Sequence, residues 1–107
     1  MKGFGGGMQQ MMRQANQMQN KMKKLQEELK TREFDGTAGG GAVNIKVNGD
    51  YMLQSVEIQE DVFKDGDAEM LQDLILAATN DAIKVAKETS DKEMNKITGG
   101  MNLPGMF

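Results

Sequence analysis

"AVNIKVNGDYMLQSVEI", Ala42 to Ile58, is the stretch that decides the fold. Val43, Ile45 and Val47 alternate with Asn44 and Lys46, the two-residue period of a half-buried strand. Asn48 and Gly49 are the pair favoured in a two-residue hairpin turn, and that register predicts Ile45 beside Met52 and Val43 beside Gln54. Just upstream, "DGTAGGGAV" (Asp35 to Val43) spaces Gly36 and Gly41 like a phosphate-binding loop. Such a loop needs Lys and then Ser or Thr after its last glycine, with a helix behind them to face the phosphates. Here Ala42 and Val43 lead into a strand, so the glycines are read as a turn that requires positive φ. With "TREFDGT" as a preceding strand, the middle of the chain is predicted to be a three-stranded antiparallel meander.

A long helix is predicted on either side. From Met8 the apolar or small residues fall at Met11, Ala15, Met18, Met22, Leu25 and Leu29, in steps of three and four. This is a heptad seam, and it predicts one amphipathic helix packed along a narrow stripe. Residues 1–7 lack the pattern and are expected to form a flexible lead. The second helix is predicted to start near Asp67, an N-cap with Glu69 in the first turn, and to reach Lys87 or Ile97 before the Gly99–Gly100 stop. Ser90 with Glu93 could form a capping box, which leaves room for a break near Thr89. Leu71, Leu74, Ile75, Ala78, Ala82, Val85 and Ala86 make a broad face for the sheet, while Leu76, Ile83 and Ile97 fall on another side. A helix with two apolar sides needs two partners, so these three are the expected homodimer interface, the alternative being that Leu76 and Ile83 fill a local corner of the chain's own fold. The fold class is therefore α+β in the order α-β-β-β-α, a single domain over 1–107 with a flexible tail at 99–107.

The chain has 107 residues, no Cys, no His and no Trp. More than half of its apolar residues are Met, Ala or Val, which implies a thin core and favours self-association. Lack of thiol and imidazole excludes thiolate zinc sites and His-dependent nucleophilic or proton-shuttle catalysis. The opening residues lack a signal peptide's apolar run and no window suits a membrane span, so a soluble cytoplasmic protein is predicted.

The net charge of −3 hides a division. Residues 1–33 hold seven Lys/Arg against three Glu, and residues 34–107 hold six Lys against thirteen Asp/Glu. Arg13, Lys21, Lys23, Lys24 and Lys30 lie off the Met/Leu seam, on the solvent arc of the first helix. Cations on such a face either solubilise the chain or meet phosphates, releasing condensed counterions. Gln9, Gln10, Gln14, Asn16, Gln17, Gln19 and Asn20 surround them with amides able to bond phosphates or base edges. Glu27 and Glu28 interrupt the patch. Asp61, Asp65, Gly66, Asp67 and Glu69 suggest a calcium loop, but with Gly66 at the sixth position Phe63 falls at the third and Gln72 at the twelfth, so the match fails. Asp73 with Asp81 or Glu88 as an acid/base pair lacks an apolar concave setting.

Four segments in fixed order resemble the YbaB/EbfC family of bacterial nucleoid-associated proteins. They are "MQNKMKKLQEEL" (Met18 to Leu29), "AGGGAVNIKVNG" (Ala38 to Gly49), "EMLQDLILAATNDA" (Glu69 to Ala82) and "KITGGMNLPG" (Lys96 to Gly105). The resemblance implies a homodimer whose protruding helices grip double-stranded DNA, without enzymatic activity, cofactor, small-molecule substrate or membrane, in the cytoplasm at the nucleoid. It implies contact by Arg13, Lys21, Lys23, Lys24 and Lys30, joined by Lys84 and Lys87. The alternative from another class is an interaction adaptor linked to DNA replication or repair, since flexible Met surfaces suit adaptable partners.

Overall fold

The computed structural model describes residues 2–64 and 67–99. The order is α1 (Lys2–Thr31), β1 (Glu33–Ala38), β2 (Val43–Asn48), β3 (Leu53–Ile58), a one-turn α2 (Glu60–Lys64) and α3 (Ala68–Thr98). The three strands form one antiparallel sheet in the order β1-β2-β3, the meander that the alternation of Ala42 to Ile58 predicts. Gly39, Gly40 and Gly41 all take positive φ in the β1–β2 turn, as their reading as turn glycines requires.

The core lies between the inner face of the sheet and α3. Val43, Ile45 and Val47 are fully buried against Ala78, Ala82 and Ala86, with Phe34 and Leu29 closing the ends. Small residues on α3 let its backbone approach, and Gly36 completes the fit. A Cβ at Gly36 would overlap the backbone of Ala78 and Ala82, so helix and strand touch main chain to main chain. Leu71, Leu74, Ile75 and Val85 pack around this contact, which is the broad face read from the sequence.

The ends of α3 also match expectation. Asp67 accepts from the Met70 N–H at 3.1 Å as the N-cap, and Gly99 takes the left-handed C-cap with its N–H on Asn95 O. The helix is continuous through Thr89 and Ser90, so the capping box at Ser90 is not used. At the edge of the sheet, the Thr37 N–H donates to Asp81 Oδ2 at 3.0 Å, which satisfies an otherwise open strand donor.

The structure corrects three expectations. The hairpin register is slipped: Ile45 pairs with Val56 and Val43 with Ile58, with an irregularity between Lys46 and Val47. The reason is that Gly49 serves another contact, because a Cβ there would overlap the Leu29 carbonyl at the end of α1. The turn therefore widens. Asn48 Oδ1 accepts from the N–H groups of Asp50 and Met52, and Tyr51 takes the left-handed conformation at φ 64°. Second, the first helix runs from Lys2, not Met8, through the lead expected to be flexible. A nucleated helix propagates through main-chain bonds that need no apolar stripe, although glycine weakens each step. Third, α2 is an element the sequence pattern does not reveal, since a helix of one turn shows no period. Of the expected C-terminal tail, Gly99 is the helix cap and residues 100–107 lie outside the described residues.

Replacing Gly36 by Ala should cost about 3 kcal/mol through overpacking against α3, measured by urea denaturation, whereas Gly40→Ala, with open space around it, should cost only about 1 kcal/mol for its positive φ. Asp67→Ala should lower stability by about 1 kcal/mol through loss of the cap.

Candidate nucleic-acid interface

The molecule is an elongated body, 78 × 21 × 18 Å. α3 covers β1 and β2, and it also meets α1, whose C-terminal end abuts β2. Along α1 the seam is engaged only in part. Met22 and Leu29 are buried and Leu25 packs on the core, but Met8 and Met11 are 64% and 70% exposed. Ala15 is also exposed and Met18 half-buried. The heptad pattern predicted one continuous packed stripe; among the described residues the fold supplies a partner for its second half, and the first half of α1 stands clear of them as an arm.

All five α1 candidates, Arg13, Lys21, Lys23, Lys24 and Lys30, are exposed. Among the described residues none of them forms an ion pair; the three salt bridges are Arg32–Glu28, Lys64–Glu60 and Lys96–Glu93. Arg32 lies 3.5 Å from Glu28, so one of the two acids that interrupt the patch is turned to a cation of its own. From Arg13 to Lys30 the charges extend along about 26 Å of helix axis. The neighbouring Gln9, Gln10, Gln14, Asn16, Gln17, Gln19 and Asn20 are exposed as well, so the face offers amide donors between its cations.

The α3 candidates have a different setting. Lys84 and Lys87 are exposed, but the Lys87 Nζ lies 5.7 Å from the centre of the Tyr51 ring, over the β2–β3 loop. They sit on the half of α3 that covers the sheet. Lys92, which is absent from the residues singled out by sequence, is exposed and unpaired among the described residues on the outer half of α3. Its position follows once α3 is known to continue unbroken to Thr98.

Carboxylates gather at the other end. Glu60 and Asp61 lie on α2, and Asp67, Glu69 and Asp73 line an open notch at the start of α3. Asp35, Lys46 and Glu57 line a shallow polar depression of the sheet together with Thr37 and Asn44. Asp81, considered as a catalytic acid, holds the edge of β1. Of the expected dimer residues, Leu76 is 62% exposed, Ile97 is half-buried, and Ile83 packs partly against the chain's own core. Among the described residues no helix is long and apolar enough to cross a membrane.

Comparison with known proteins identifies the family of the chain. The profile described as the YbaB/EbfC DNA-binding family matches residues 4–101. A nucleoid-associated protein of Clostridium novyi is 53% identical over 107 residues, covering 98% of this chain and 94% of the relative. One from Thermoanaerobacter pseudethanolicus is 50% identical, covering 98% and 96%. Among solved structures, an uncharacterized protein from Helicobacter pylori aligns with a TM-score of 0.65 at 25% identity, covering 79% of this chain and 89% of that one. A helix, three antiparallel strands and a long closing helix, matched by sequence along nearly the whole length, place this chain in the YbaB/EbfC DNA-binding family.

Proposed function

We propose that this protein binds double-stranded DNA as a homodimer, through phosphate contacts made by the cations of α1, and that it acts at the nucleoid without catalysis. The observation that carries the reading is the exposure of Arg13 on the free first half of α1 and of Lys21, Lys23, Lys24 and Lys30 on the solvent side of its docked second half, with no ion pair among the described residues. Each cation that meets a phosphate releases condensed counterions, so affinity depends steeply on salt. Contacts of this kind follow duplex shape and charge and carry little base information, while the surrounding amides allow limited readout. Lys92 extends the patch along the outer half of α3, and Lys84 and Lys87 contribute from its base. The acidic body repels the duplex and so favours contact through α1 and the neighbouring lysines of α3.

The second copy is assigned to the side of the sheet that α3 leaves bare. Leu53 and Val56 on β3 are 48% and 45% exposed although they belong to the inner face, because α3 crosses β1 and β2 only. Leu76 lies on the flank of α3 about 140° around the helix from Asp81, which faces the edge of β1. These apolar side chains, with the exposed rim of Ile83, form the surface that a partner copy would cover. Ile97, farther out on α3, would extend it.

Changing Lys21, Lys23 and Lys24 to Glu should abolish binding of a fluorescent duplex at moderate salt. At low salt the log-log salt slope should fall by about one unit for each phosphate that the variant no longer neutralises. Equal binding by the variant would remove α1 from the interface, and no binding by either protein would favour the adaptor reading. Sedimentation at micromolar concentration should show a dimer for the wild type and a folded monomer for Leu76→Glu. A wild-type monomer would rule out the dimer, and an unchanged dimer in the variant would rule out this surface.

A further inference from the structure

The exposed part of the α1 seam carries three thioethers on consecutive positions of one face. Met8, Met11 and Met12 are 64%, 70% and 63% exposed, so they fill no core in this chain. Their spacing brings them together. Met11 and Met12 follow Met8 by three and four residues, one turn along the helix, and Met8 lies between them in azimuth. Side chains at such spacings start about 5–6 Å apart at Cβ, and the unbranched methionine chain can swing its sulfur toward a shared point. Ala15, the next residue of the stripe, is too short to cap that point and leaves it open on the far side.

We propose that Met8, Met11 and Met12 form a binding site for a soft monovalent cation, Cu(I) or its analogue Ag(I). Thioether sulfur is a soft, uncharged donor that favours Cu(I) over the hard divalent ions. Competing donors are missing from this part of the chain: the first carboxylate in the sequence is Glu27, and there is no imidazole or thiol at all. Among the described residues no three His, Cys, Asp or Glu converge elsewhere. The nearest protein cation, Arg13, points about 150° away from the triad around the helix, and the flanking Gln9, Gln10 and Gln14 are neutral. Three neutral sulfurs leave the bound ion's single positive charge uncompensated, so loading the site adds positive charge to the arm.

The test uses the full chain under anaerobic, chloride-free conditions, with Cu(I) held by the coloured chelator bicinchoninate and Ag(I) as a closed-shell probe for NMR. The wild type should withdraw one equivalent of Cu(I), and Ag(I) should shift the methyl signals of Met8, Met11 and Met12. Replacing all three by Leu keeps the apolar stripe and helix, checked by circular dichroism, and should lower Cu(I) affinity at least tenfold. Met52→Leu with Met70→Leu, two methionines exposed elsewhere, should leave it unchanged. Unchanged affinity in the triple Leu variant, or Ag(I) shifts confined to other methionines, would overturn the proposal. So would methyl shifts that follow protein concentration with no metal present, since the stripe would then be a contact between helices.

Discussion

The contact of α3 with β1 at Gly36 is the constraint on which the rest of the structure depends. Only a residue without a side chain lets the Ala78–Ala82 backbone reach the strand, and the alanines on α3 are matched to the Val43, Ile45 and Val47 they cover. The close approach draws α3 toward one side of a three-stranded sheet. Two strands are covered, and Leu53 and Val56 on the inner face of the third stay exposed while Ile58 reaches the core. Larger residues at Ala78, Ala82 or Ala86 would hold the helix farther off the sheet.

The direction of α3 also sets the arm. Beyond the sheet α3 packs on α1, and there it meets the second half of the seam, where Met22 and Leu25 are engaged, and leaves Met8 and Met11 exposed. Gly49 anchors the opposite end by admitting the Leu29 carbonyl against the β2–β3 loop. Between these anchors Met22, Leu25 and Leu29 hold the second half of α1 in place with Lys21, Lys23, Lys24 and Lys30 on its solvent side, while the first half carries Arg13, amides and thioethers outward. Charge segregation in sequence thus becomes segregation in space, with the acids of α2 and early α3 at the far end.

How far the sequence could be read depended on whether each signal was local. The Val43–Ile45–Val47 alternation and the Asp67 and Gly99 caps are set by a few neighbouring residues, and strand order and helix ends followed from them. The hairpin register was not legible, because Asn48–Gly49 looks like a tight turn until the Leu29 backbone is known to need the space of Gly49. The heptad pattern told which way Met8 and Met11 point, but not that no element lies there. Exposure of Arg13 through Lys30 was legible from the helical wheel, whereas their lack of ion pairs, and the place of Lys87 over Tyr51, are tertiary facts. Asp81 seemed an unassigned acid because its partner, the Thr37 N–H, is distant in sequence.

That hydrogen bond bears on how many copies can associate. A sheet grows without limit only when each newcomer finds a free strand on one side and offers another on its far side. Here the carboxylate of Asp81 holds the Thr37 N–H on one margin, so an added strand would lose a ladder donor there. Guarding that donor works against edge-to-edge strand addition, so the exposed apolar side chains of Leu53, Val56 and Leu76 are offered as a face and not as a growing sheet margin.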